Sequence, residues 1–135
     1  MRERIRKHRS DRPHQWITLE EPLNVPAAVR RASPADAPVI VDCVTLWLSN
    51  LFERESRTPA RKQQALLLAA VHELAVVARD RDVIAVSNEV GGGIVPTTRV
   101  GRRSRDLQGW TNQLLAREAG RVVLVVAGLP ITLKE

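Results

Sequence analysis

Val83-Ile84-Ala85-Val86-Ser87-Asn88-Glu89-Val90-Gly91-Gly92-Gly93-Ile94-Val95-Pro96 joins an apolar run to a polar, glycine-rich segment. The apolar run, too short for a helix, gives way to two polar residues and an acidic one and, after Val90, to three consecutive glycines. The run reads as a buried strand, and the polar and glycine-rich segment after it reads as a loop at the strand's carboxyl end. Val39-Ile40-Val41-Asp42 has the same build and also ends in an acid. Val122–Ala127 is a third such run. Continuous apolar runs of this length are what parallel strands covered on both faces look like.

Helical patterns separate these runs. Thr45–Glu55 is rich in Leu and Trp. Thr58-Pro59 starts a further helix to about Arg79, because proline suits a first turn; Leu67, Val71, Leu74 and Ala78 mark its buried stripe. Thr98–Ala119 is a long amphipathic helix with Gly120 as its C-cap. Met1–Arg9 reads as the tail of a helix, Ser10–Pro13 as a turn and Trp16–Leu19 as a short strand. A loop with a short helix near Val25–Ala32 spans the prolines Pro22, Pro26, Pro34 and Pro38. Gly128 begins a turn into a last strand, Ile131–Lys134. Strands alternating with helices predict a single α/β domain over residues 1–135 with a mostly parallel open sheet. Ligands bind such sheets beyond the carboxyl ends of the strands, which is where Asp42, Asn88, Glu89 and Gly128 fall.

Composition narrows the function classes. With 44% hydrophobic residues the chain buries a real core, and with 3% aromatics that core is aliphatic. No run is long enough to span a bilayer, and Met1 is followed by charges rather than a signal-peptide core. The single Cys43 excludes an intrachain disulfide and a cysteine-based zinc site; it reads as a buried apolar residue in a cytoplasmic protein. The net charge of +6 is concentrated in two places. Arg2, Arg4, Arg6, Lys7, Arg9 and Arg12 face only Glu3 and Asp11, and Arg99, Arg102, Arg103 and Arg105 face only Asp106. A solvated charged face and an anionic partner both account for such clusters.

Several stretches together point to one family. They are Arg4-Ile5-Arg6-Lys7-His8-Arg9 with Arg12-Pro13 and Trp16, Val41-Asp42-Cys43-Val44-Thr45-Leu46-Trp47-Leu48-Ser49-Asn50-Leu51, Val86-Ser87-Asn88-Glu89-Val90-Gly91, Gly93-Ile94-Val95-Pro96, Arg102-Arg103 with Arg105-Asp106, Asn112-Gln113, and Val125-Val126-Ala127-Gly128-Leu129-Pro130. Their order and spacing resemble the bifunctional adenosylcobinamide kinase/adenosylcobinamide-phosphate guanylyltransferase family of cobalamin biosynthesis, over nearly the whole chain. The resemblance implies a P-loop NTPase, RecA-like fold and a homotrimer. It implies phosphorylation of adenosylcobinamide with ATP or GTP, and then GMP transfer from GTP to adenosylcobinamide phosphate through a GMP-histidine intermediate at His8. It implies nucleotide contacts at Arg9, Ser10, Asp11, Arg12, Glu20 and Asp42, with Mg2+ held at Asp42. Glu21 takes the place of Glu20 if the register differs by one.

This sequence departs from the family pattern. No G-x-x-x-x-G-K-[ST] occurs, so the first strand, P-loop and first helix are absent, and a truncated or late-started chain is expected. Lys7, Gly92, Thr97 and Ser104 stand where the family commonly has histidine, methionine, glutamate and phenylalanine. A sheet without its first strand should expose an apolar neighbour, which predicts poor solubility or instability.

The chemistry sets a demand on each residue. In the chemistry that the resemblance implies, a neutral imidazole at His8 would attack the α-phosphate of GTP and expel pyrophosphate. Arg6, Lys7, Arg9 and Arg12 supply the cations such a transfer requires, and like-charge repulsion keeps the imidazole neutral. Local sequence alone favours an exposed histidine; the motif match favours the nucleophile. His72, on a helix, reads as structural or exposed. Asp42 either holds magnesium or caps the next helix near Thr45. Asn88 and Glu89 stand where they could polarise a hydroxyl or hold a magnesium-bound water; Gly91, Gly92 and Gly93 would admit a bulky ligand close to the backbone, or form only a flexible turn. Cations at a helix start oppose its dipole, which points Arg102, Arg103 and Arg105 toward an anion or a subunit interface. Trp47 and Trp110 read as core or interface residues. A remnant without catalysis and a nucleic-acid-binding module are the alternative readings. The second lacks interleaved aromatics and any binding motif, so no nucleic-acid partner is expected.

Overall fold

Residues 13–135 are described in a computed structural model. The elements run α1 (Val25–Arg31), β1 (Val39–Asp42), α2 (Val44–Arg54), α3 (Ala60–Val77), β2 (Val83–Val86), α4 (Arg99–Glu118), β3 (Val122–Val126) and β4 (Leu129–Lys134). The expected helical tail at Met1–Arg9 lies outside the described residues, as do residues 10–12 of the expected turn. A turn does form at His14–Gln15, closed by Trp16 N–H donating to the Pro13 carbonyl at 2.9 Å.

The helices arise where the apolar spacing places them. In α2 the residues Val44, Trp47, Leu48 and Leu51 recur at three-to-four spacing, and all are buried. Burying each contributes roughly 1.5–3 kcal/mol. Leu67, Val71 and Leu74 do the same for α3, with Ala78 at the rim of the stripe. Together with Val25, Val29, Val41, Val77 and Leu107 these residues form one aliphatic core. Trp47 belongs to it and donates its indole N–H to the Leu23 carbonyl at 2.8 Å. Trp110 does not; it is 41% exposed on α4.

Two polar side chains knit the helices together. Gln63 of α3 donates to the carbonyls of Phe52 (2.8 Å) and Glu55 (3.1 Å) and accepts from Arg103 of α4 (2.5 Å). Arg103 also stacks over the Phe52 ring. Arg81 donates to the carbonyls of Val29, Ala32, Pro34 and Ala37, tying the end of α1 and the following loop to the start of β2.

The sheet departs from the expectation of one mostly parallel layer. β1 and β2 pair in parallel, with Val39 opposite Val83 and Asp42 opposite Val86. β3 pairs with β4 instead, antiparallel, so the described residues hold two separate two-stranded sheets. The reason is local. Ala127 (φ 52°) and Gly128 (φ 79°) both take the left-handed conformation of a tight hairpin turn, which folds Leu129–Lys134 straight back on β3.

The strands are also less covered than continuous apolar runs imply. The core takes Val41, with Val39 and Val83 against it, but Ile40, Ile84 and Val86 are 42%, 53% and 42% exposed on the opposite face. Trp16–Leu19 forms no strand with any of the described residues. Helix α4 ends at Ala119 in extended conformation, so Gly120 is not the left-handed cap expected of it. Among the described residues no helix is long and apolar enough to cross a membrane.

Candidate functional site

The carboxyl ends of β1 and β2 lie side by side, because Asp42 and Val86 are the last registered pair. Asp42 is exposed there, and among the described residues no hydrogen bond or ion pair engages its carboxylate. The helix-capping alternative for Asp42 fails: the N-cap of α2 is Cys43, whose Sγ accepts from Leu46 N–H at 3.4 Å. Cys43 is thus half-buried rather than a buried apolar residue. The Asp42–Cys43 peptide bond is cis.

Beyond β2 the chain is fixed by side chains from two helices. Asn88 N–H donates to Thr45 Oγ1 of α2 at 3.0 Å. The Asn88 carbonyl accepts from Asn112 Nδ2 of α4 at 3.0 Å. Asn112 Oδ1 accepts from Ser87 Oγ at 2.6 Å and from Gln108 Nε2 at 2.9 Å, and Gln108 Nε2 also donates to Ser87 Oγ at 2.8 Å. Asn88 itself is exposed.

The glycine loop is held in the same manner. Glu89 folds its carboxylate back to accept from Gly91 N–H at 2.5 Å. Arg105 Nε donates to the Val90 carbonyl at 3.1 Å, and its NH2 donates to the carbonyls of Gly91 and Gly93. Arg102 closes the loop by donating to the carbonyls of Pro96 (3.2 Å) and Thr97 (2.7 Å). Thr98 caps α4, accepting from Gly101 N–H at 3.1 Å. A side chain at Gly101 would meet Pro96 Cβ at 2.7 Å, so only glycine lets the loop lie this close to the helix. A cavity of about 230 Å³ opens between α2, the loop and α4, with Thr45, Leu48, Phe52, Val90, Ser104 and Gln108 in its wall.

The basic start of α4 is therefore built into the scaffold. Arg105 and Arg103 are committed to loop carbonyls, to Gln63 and to Phe52, whereas Arg102 is exposed and uses one nitrogen. Cations at this end oppose the helix dipole, and the carbonyls of the preceding loop offset that cost.

His8, Arg9, Ser10, Asp11 and Arg12 lie outside the described residues. Glu20 is exposed, five residues before α1. Glu21 is structural, with its Oε1 accepting from Leu23 N–H (3.0 Å) and Asn24 N–H (2.8 Å) ahead of α1. Those bonds, the one from Asn24 first, hold its pKa below the usual glutamate value. His14 and His72 are exposed. Among the described residues no three His, Cys, Asp or Glu side chains gather to hold a metal by themselves. A magnesium ion carried by nucleotide phosphates needs only one or two carboxylates, and the unengaged Asp42 suits that.

The site is built by Thr45, Ser87 and Asn112, which lie in the family-like stretches without an expected site role of their own, and by Gln108, which lies outside them. The available signal is in α4. Gln108, Thr111 and Asn112 put polar groups on the same face as Leu107, Leu114 and Leu115, where an amphipathic helix should be apolar.

The sequence profile of the family described as cobinamide kinase / cobinamide phosphate guanyltransferase matches residues 1–133. The bifunctional adenosylcobalamin biosynthesis protein CobP of Pseudomonas aeruginosa is 41% identical over 134 residues, which cover 99% of this chain and 75% of that protein. The bifunctional adenosylcobalamin biosynthesis proteins CobU of Escherichia coli and of Salmonella typhimurium are each 32% identical over 142 residues, covering 99% of this chain and 78% of theirs.

Proposed function

This chain belongs to the cobinamide kinase / cobinamide phosphate guanyltransferase family of cobalamin biosynthesis, and on that premise we propose that it phosphorylates adenosylcobinamide with ATP or GTP and transfers GMP from GTP to the resulting phosphate. The observation that carries this reading is Asn88, held at its backbone by Thr45 and Asn112 beside the unengaged carboxylate of Asp42.

In the first reaction the aminopropanol hydroxyl bonds to the γ-phosphorus, the bond from that phosphorus to the leaving nucleoside diphosphate breaks, and the hydroxyl proton passes to solvent. Asn88 orients the hydroxyl, and Glu89, beside it, lies within the same acceptor region. Positioning and charge stabilisation supply most of the catalysis of such a transfer. Asp42 would hold the Mg2+ that accompanies the nucleotide, and the bound ion would supply charge neutralisation at the phosphates.

In the second reaction His8 attacks the α-phosphorus of GTP. A P–N bond forms and pyrophosphate leaves; the substrate phosphate then takes the GMP and frees the imidazole. Arg9, Ser10, Asp11, Arg12 and Glu20 contact the nucleotide. Of the arginines opening α4, Arg102 keeps donors for a phosphate, while Arg103 is already committed. A homotrimer in the cytoplasm completes the reading.

Turnover tests it. Adenosylcobinamide, incubated in the dark with the protein, GTP and Mg2+, is separated by chromatography as the cobinamide, which is followed by its own visible absorption. The reading expects cobinamide phosphate first and GDP-cobinamide after it. Unchanged cobinamide at enzyme concentrations near those of the substrate overturns it.

A further inference from the structure

The last registered pair of the parallel ladder is Asp42 with Val86, so Asn88 lies beyond it. A residue there ordinarily gives its N–H and carbonyl to water. Asn88 gives both to side chains, Thr45 Oγ1 on one side and Asn112 Nδ2 on the other. Fixing both polar groups of a residue's backbone fixes the direction of the Cα–Cβ bond between them, at an entropic cost of roughly 1–2 kcal/mol.

The group that does this is itself oriented. Only the amide nitrogen of Asn112 can meet a carbonyl, so its Oδ1 must be the atom that takes Ser87 Oγ and Gln108 Nε2. Gln108 is 4% exposed and Ser87 and Asn112 are half-buried, so the bonds that orient Asn112 are partly shielded from water, while its bond to the Asn88 carbonyl and that from Asn88 N–H to Thr45 lie at the surface. The Asn88 side chain takes no part in the relay and makes no hydrogen bond to the described residues. Half-buried and buried polar groups from α2, the end of β2 and α4 thus converge on the backbone of one exposed residue whose own amide is left available.

We infer that Asn112, oriented by Gln108 and Ser87 and opposed by Thr45, is a positioning residue for phosphoryl transfer: it fixes Asn88 so that the Asn88 amide meets the acceptor hydroxyl. This rests on the reading that Asn88 contacts that hydroxyl. Misplacing a positioning group by an ångström costs on the order of a hundredfold in rate.

The experiment compares the full chain with Asn112→Asp, Asn112→Ala and Asn88→Ala. Asn112→Asp keeps the size of the side chain and the acceptor for Ser87 and Gln108, but cannot donate to the Asn88 carbonyl. The expected result is a kcat for phosphoryl transfer lower by about tenfold or more in all three variants, with KM for the nucleotide within about twofold. GMP labelling from GTP, which involves no acceptor hydroxyl, and the melting temperature stay near those of the starting protein for Asn112→Asp. If Asn88→Ala loses phosphoryl transfer and both Asn112 variants retain it, the inference is overturned and the reading of Asn88 stands. If Asn88→Ala is fully active, or the unsubstituted chain has no phosphoryl transfer, the reading fails and the inference with it. Equal loss of both reactions with a lowered melting temperature in both Asn112 variants makes the relay architectural and overturns the inference.

Discussion

Thr111 is fully buried in α4, and its hydroxyl has no hydrogen-bond partner among the described residues. A buried unsatisfied hydroxyl costs about 1–3 kcal/mol, and valine has nearly the same shape. Thr111→Val should therefore raise stability by about 1 kcal/mol, or roughly 3–5 °C in melting temperature; an unchanged or lower value shows that the hydroxyl is satisfied after all. Arg105 presents the opposite case. Its planar fork spans the carbonyls of Val90, Gly91 and Gly93, and lysine cannot reproduce that geometry. Arg105→Lys should speed amide hydrogen exchange across residues 90–93 while leaving exchange in α3 unchanged; equal rates in both proteins contradict the clamp. The same scale carries a pH dependence. Hydrogen bonds lower the pKa of Glu21 (from Asn24, then Leu23), of Glu55 (from Thr58, then Arg54) and of Glu118 (from Arg79) below the ordinary glutamate value. A carboxyl group whose folded pKa is depressed binds its proton less tightly when folded. Its contribution is thus complete above the unfolded pKa and is lost as pH falls through the folded one. Melting temperature should hold from neutrality to about pH 5 and fall below that, and the fall should be shallower in Glu21→Gln. An identical profile in that variant contradicts the assignment.

The hairpin of β3 and β4 turns on two left-handed residues, of which only Gly128 is suited to that conformation. A left-handed alanine costs about 1–2 kcal/mol. Ala127→Gly should accordingly stabilise the hairpin and Gly128→Val destabilise it, as read by thermal melting; the reverse order contradicts the turn. The hairpin is also tied to α4, where Lys134 Nζ donates to the carbonyls of Ala116 (3.1 Å) and Arg117 (2.9 Å) at the helix's negative end. Elements of this kind differ in how far the sequence foretells them. α2, α3 and α4 lie within a residue or two of where apolar spacing puts them, because each buried stripe is written locally. Strand partners are not written locally. Nothing within Val122–Ala127 says that it pairs with the segment just after it rather than with Val83–Val86, and an apolar run looks alike whether one face or both are covered. The site divides along the same line. Asp42, Asn88 and Glu89 are legible as strand-end residues, but the relay through Thr45, Ser87, Gln108 and Asn112 joins residues far apart in sequence that only the fold brings together.

At the scale of the whole molecule the apolar surface is unevenly covered. Ile84 is 53% exposed, and on the hairpin Val125, Leu129 and Leu133 are each more than 60% exposed. Val125 lies on one face of the hairpin and Leu129 and Leu133 on the other, and exposed apolar surface of this kind drives association. The chain should self-associate with rising concentration in sedimentation experiments, and Ile84→Lys with Val125→Lys should reduce that association without lowering the melting temperature. A single species across concentrations contradicts it. None of these residues belongs to the relay around Asn88, so association and chemistry are separable by substitution. The chemistry proposed for this chain stands or falls with His8. The protein is incubated with GTP labelled at the α-phosphate and Mg2+, denatured, and divided between acid and alkali. The expected label is one GMP per chain, stable in alkali, lost in acid and absent from His8→Ala. A label that persists in His8→Ala, or an unsubstituted chain that takes none, contradicts it.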